Sequence, residues 1–117
     1  MIKEILSKIY KKDVELQYRI KLYLSDNLDE KDLSEIKSRI AKGKGKYRLI
    51  LISEKEDENF DIVSLGQLKL KAWEGKKPVV AGIADGEEDA YELVMKIIDD
   101  CREKRGDLNL KEYILSL

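Results

Sequence analysis

At 117 residues the chain is long enough to bury roughly two thirds of its unfolded surface around one core, so residues 1–117 are read as a single domain. Lys and Arg number 23 and Asp and Glu 24, leaving a net charge of −1, which disfavours nucleic acid or an anionic membrane as partner. Histidine is absent. That removes the commonest general base, the Ser/His and Cys/His pairs and the usual zinc ligand, so catalysis here would have to use carboxylates, Lys or Tyr.

Other features narrow the class further. No apolar run approaches the ~20 residues of a membrane span, and Met1-Ile2-Lys3-Glu4-Ile5 carries an acid where a signal peptide would be apolar, so a soluble, cytoplasmic protein is expected. The lone Cys101 has no intramolecular disulfide partner and falls on an apolar stripe, which reads as a small buried hydrophobe.

In chain order, Ile2, Ile5, Leu6 and Ile9 lie at helical spacing and predict a short helix over Met1 to Lys12. The period then becomes two: Val14, Leu16, Tyr18, Ile20, Leu22 and Leu24 alternate with Glu15, Gln17, Arg19, Lys21 and Tyr23, the pattern of a strand with one face on the core. From Asp29 to Lys42, Leu33, Ile36 and Ile40 share a helix face, acids come early and bases late, and Gly43 is a natural stop. Tyr47 to Ser53 holds the continuous run Leu49-Ile50-Leu51-Ile52, which predicts a strand covered on both faces near the sheet centre. The acidic run Glu54 to Asn59 lacks the glycine and ligand spacing of a calcium loop and reads as a solvated turn.

Phe60 to Gly75 is ambiguous. Phe60, Ile62 and Leu65 fit a strand and Leu68, Leu70 and Ala72 a second one, yet Leu65, Leu68 and Ala72 also fit a helix face with Ser64 and Gln67 as its capping box. The favoured reading is an extended segment followed by a short helix that ends at Gly75, with Trp73 packed on the core.

The strongest signal spans Pro78 to Gly106. Val79 to Ala84 is a buried strand opened by Pro78. Asp85-Gly86 turns the chain, and Ala90, Leu93, Val94, Ile97, Ile98 and Cys101 form the apolar stripe of a long helix. Asp85 is the expected N-cap, with Glu88 completing a capping box, and Gly106 the stop. Asn109 and Glu112 read as another capping box, with Leu108 and Tyr113 as its staple, opening a last helix whose Ile114, Leu115 and Leu117 are too apolar for a free tail. That tail is expected to dock on the body or on another copy.

The stretch PVVAGIADGEEDA resembles the strand, glycine turn and helix start that grip a substrate phosphate in (β/α)8 barrels such as imidazole glycerol phosphate synthase. The resemblance implies a ligand site at Gly82, Ala84, Asp85 and Gly86, with Glu88-Asp89-Ala90 as the helix entry. A barrel needs about 250 residues, so the barrel's activity does not transfer. Asp85, Glu87, Glu88 and Asp89 also crowd the positive end of the helix dipole, where a phosphate would sit.

Lys42, Lys44, Lys46 and Arg48, interleaved with Gly43, Gly45 and Tyr47, form a basic cluster. It lacks the spacing and the Ser/Thr of a P-loop and precedes a strand, so a solvated loop is the favoured reading, ahead of a site for an acidic partner or a nucleic-acid backbone.

These elements predict a small layered α/β or α+β domain with a three- or four-stranded sheet covered by helices. The expected function is a non-catalytic interaction or regulatory domain without metal or cofactor, with a protein partner or self-association through the apolar C-terminus. The alternative is binding of a small phosphorylated metabolite at the 82–86 turn.

Overall fold

The computed structural model describes residues 14–117 and contains a four-stranded mixed sheet in the order β1-β4-β2-β3. The strands are β1 (Gln17–Leu24), β2 (Arg48–Ile52), β3 (Phe60–Ser64) and β4 (Val79–Ala84). The helices are α1 (Leu33–Ala41), α2 (Glu87–Arg105) and α3 (Leu110–Leu115). This is a small α+β domain of the expected class. The helix expected over Met1 to Lys12 lies outside the described residues.

β4 and β2 occupy the centre because they alone are apolar on both faces. Val80, Ala81, Ile83 and Ala84 of β4 and Leu49, Ile50 and Leu51 of β2 are fully buried. β1 runs parallel to β4, and β2 pairs antiparallel with both β4 and β3. One face carries α1, whose Ile36 and Ile40 pack with Tyr47, Leu49, Leu51, Val63 and Val80. The other carries α2 and α3, whose Leu93, Ile97, Cys101, Tyr113 and Ile114 pack over Ile50 and Ala81.

A bulge in β4 explains how its four apolar residues serve both layers. Ile50 pairs with Gly82 but Leu51 pairs with Val80, so Ala81 is the extra residue. Val80 and Ile83 therefore face α1, while Ala81 and Ala84 face α2. At Gly82 there is little room between α2 and the sheet. A Cβ there would sit 3.1 Å from the Tyr23 carbonyl oxygen and 3.2 Å from Leu93 Cδ2.

β1 departs from simple alternation. Leu16, Tyr18, Leu22 and Leu24 join the α1-side core as expected, but Ile20 is fully exposed. Tyr18 pairs with Val80 and Tyr23 with Gly82, so Arg19 to Leu22 stand opposite Ala81 alone and bow off the sheet.

The ambiguous segment resolves into β3 followed by two 3-10 turns, Gln67–Lys69 and Lys71–Trp73, and Gly75 at φ +72°. The Ser64/Gln67 capping box forms in both directions: Ser64 N–H donates to Gln67 Oε1 at 2.7 Å and Gln67 N–H to Ser64 Oγ at 3.2 Å. Trp73 is half-buried against the α1-side core. At the last helix, Asn109 Oδ1 accepts the Glu112 N–H at 3.2 Å, as its capping role requires.

Two capping expectations are corrected. Asp85 is not the N-cap of α2; Gly86 is, at φ +112°, where a side chain would be strained. Asp85 instead turns toward β1: its N–H donates to Ser25 Oγ at 3.1 Å and its Oδ2 accepts from Asn27 Nδ2 at 2.7 Å. With that N–H taken, Glu88 completes no capping box. Leu108, the expected staple for Tyr113, is exposed.

Candidate functional site

Three places bring polar or unpaired groups together. The first joins two segments separate in the sequence. The basic loop folds back so that the Lys46 stem lies 3.9 Å from where a Gly86 Cβ would be, beside the start of α2. Arg48, on β2, is paired across the ladder with Ala84. Lys42 and Lys44 stay in the solvent-exposed loop after α1. Gly82 and Ala84 are buried inside the sheet, whereas Asp85 and Gly86 are half-buried at the turn.

No side chain caps the first N–H groups of α2, which leaves donors pointing out of the helix. Glu87, Glu88 and Asp89 occupy the same turn. Tyr91 donates to Glu87 Oε1 at 3.1 Å; that bond lifts the Tyr91 hydroxyl above its ordinary pKa, opposed by Arg48. Among the described residues no three His, Cys, Asp or Glu side chains converge as a metal site, these carboxylates included.

The second place is a hydrogen-bonded chain between β1, α2 and α3. Tyr23 O–H donates to Asp100 Oδ2 at 2.7 Å, and the Tyr113 hydroxyl lies 2.8 Å from the Tyr23 oxygen, which is left to accept. Burial, then the bonds to Tyr113 and Asp100, push the Tyr23 hydroxyl far above its usual range. A hydroxyl held in its protonated form this way donates hydrogen bonds and is a poor base. An open cavity of about 500 Å³ adjoins it, lined by Lys21, Leu22, Lys104 and Leu117 among others. No spacing signal marks this trio, whose members are 77 and 90 residues apart.

The third place is the outer edge of β3. Among the described residues no strand pairs beyond it. Its register against β2 runs unbroken from Arg48↔Ser64 to Ile52↔Phe60, so it has no bulge where β1 has one. Ser53 N–H donates to the Asn59 carbonyl at 3.0 Å, which makes 53/59 a hydrogen-bonded pair. By antiparallel alternation Asp61 and Val63 bond inward, and the N–H and C=O groups of Phe60 and Ile62 point out of the sheet.

Beside this edge runs an apolar strip. Phe60 and Ile62 are half-buried in one cluster with Val94 and Ile98 of α2. Tyr91 and Met95, on the same flank of that helix, are 56% and 57% exposed. On the Asp61 side of β3, a cleft of about 720 Å³ is lined by Asp61, Val63, Trp73, Pro78 and Val79, together with Ile52, Ile62, three lysines and Glu54. The sequence carried half of this site, since Phe60 and Ile62 read as extended. The openness of the edge carried no local signal.

Compared with protein-family models, with curated proteins and with solved structures, the chain has no match. Among the described residues no helix is long and apolar enough to cross a membrane.

Proposed function

We propose that this chain is a non-catalytic, cytoplasmic interaction domain that receives an extended segment of another protein along β3. One observation carries the reading: an unbulged edge strand whose Phe60 and Ile62 backbone groups face outward beside a half-exposed apolar strip. Such edges pair readily with another strand, and proteins that avoid pairing blunt them with lysine, proline or bulges. β3 (FDIVS) has no lysine, proline or bulge, and its five residues carry a single charge, Asp61. β1, at the other edge, is bowed and has Arg19 and Lys21.

The test is affinity capture from the source cell with wild type, Ile62→Lys and Lys46→Glu, each checked for folding by circular dichroism. Ile62→Lys is expected to lose the captured partner and Lys46→Glu to keep it. Loss with Lys46→Glu and retention with Ile62→Lys would overturn the β3 reading.

A second reading is favoured by the uncapped start of α2 with Lys46 beside Gly86: binding of a small phosphorylated metabolite at the turn. Three carboxylates in that first turn oppose it. A rise in melting temperature with millimolar phosphate, abolished by Lys46→Glu, would support it. Self-association through the C-terminus has less room, since Ile114 is fully buried and Leu115 is the exposed apolar residue of α3.

A further inference from the structure

We infer that the segment received by β3 places a Lys or Arg between two apolar residues, the basic side chain entering the cleft at Asp61 and Trp73. This rests on the β3 reading above and specifies its ligand.

The backbone sets the period. A strand added at Phe60 and Ile62 alternates its own side chains between the two faces of the sheet. Residues opposite Phe60 and Ile62 share their face and meet the strip formed with Val94 and Ile98, where apolar side chains are favoured. The residue between them stands opposite Asp61 and points to the other face.

The cleft on that face is lined by Asp61 and Glu54 and by Lys55, Lys76 and Lys77. The cleft has an apolar floor in Val63, Pro78 and Val79, with half-buried Trp73 beside it. A Lys or Arg stem lies well on such a floor, and its charged head is attracted both to a carboxylate and to an indole face. The lysines lining the cleft are each engaged: Lys55 with Glu58 at 3.8 Å, Lys76 with Glu54 at 3.1 Å and Lys77 with Glu15 at 3.6 Å. Among the described residues Asp61 has no ion-pair partner, although it is half-buried on a strand with no other charge. An incoming cation supplies one.

The same carboxylate disfavours the simplest self-pairing. If two copies joined through the outward groups of Phe60 and Ile62, each Phe60 opposite the partner's Ile62, the two Asp61 side chains would stand directly opposite each other, a destabilising like-charge pair. Asp61 thus selects a basic strand over a second β3.

The test uses two synthetic peptides with blocked ends, Thr-Val-Lys-Val-Thr and Thr-Val-Glu-Val-Thr, titrated into the ¹⁵N-labelled full chain. Readouts are the amide shifts of Phe60, Asp61 and Ile62 and the Trp73 indole N–H. The lysine peptide is expected to move all four signals and to bind about twofold to thirtyfold more tightly than the glutamate peptide, the range of one favourable against one unfavourable cross-strand charge pair. Asp61→Lys is expected to reverse the preference.

Equal affinities at these signals would overturn the inference of a basic residue while leaving β3 as the binding edge. Shifts confined to the turn at Gly86 would overturn both. Binding by neither peptide would overturn the inference, and the capture experiment with Ile62→Lys would then judge the edge separately.

Discussion

Replacing Gly82 by alanine probes how closely α2 is seated on the sheet. The added methyl group would lie 3.1 Å from the Tyr23 carbonyl oxygen, 3.2 Å from Leu93 Cδ2 and 3.3 Å from Tyr23 Cβ. Two of these belong to β1 and cannot swing away as the end of a flexible side chain would. Forcing one methyl group into such a site costs about 1 to 3 kcal/mol. Against this, alanine reduces the conformational freedom of the unfolded chain by about 0.4 to 1 kcal/mol, and the Gly82 backbone is not in the positive-φ region that would strain it.

The net expectation is a loss of about 0 to 2.6 kcal/mol, read from urea denaturation as a lower or level midpoint at unchanged slope. Leu93→Ala alone, by opening a cavity, should cost about 2 to 5 kcal/mol. In the double variant the freed space relieves one of the three contacts, so the two losses should sum to more than the double variant shows, by about 0.5 kcal/mol or more. A stabilising Gly82→Ala, or strict additivity with Leu93→Ala, would refute the argument that helix and sheet meet at this glycine.

Ile97→Ala, at a fully buried position on α2, is expected to cost about 2 to 5 kcal/mol, and Lys96→Ala less than about 0.5, in the same urea assay. Gly86→Ala should destabilise by about 1 kcal/mol or more because of its φ of +112°, whereas Asp85→Ala should cost about 0.5 to 1, losing only its bond from Asn27; thermal melts separate the two. Burial pushes the Tyr18 hydroxyl from 10.0 up to about 12, so the folded chain keeps this proton longer than the unfolded one. Its contribution is therefore full below pH 10 and falls between pH 10 and about 12; Tyr23 is raised in the same direction. Denaturation midpoints measured from pH 8 to 11 should stay level and then drop, and Tyr18→Phe should make the drop shallower.

Local periodicity was enough to place β1, β2, β4 and the three described α-helices, whereas β3 lies in the segment 60–75 that the same patterns left between strand and helix. The four-residue apolar run of β2 announced a central strand, and the stripe from Ala90 to Cys101 announced the long helix. Both stand where those patterns require. The Ser64/Gln67 and Asn109/Glu112 boxes were legible for the same reason, since a cap and its partner are three residues apart.

Features that depend on residues distant in the chain were not legible in the sequence. Asp85 lost its capping role to a competitor 58 positions away, Asn27, together with the φ of Gly86. Ile20 fits the alternation of β1 and is nonetheless exposed, because the bulge that lifts it is defined by the pairing partner, β4. Lys46 meets Gly86, and Tyr23 meets Asp100 and Tyr113, through strand order alone. The open edge of β3 has the same origin: Phe60 and Ile62 would look alike in a central strand, and which strand ends a sheet is settled by how all four pack, not by any one of them.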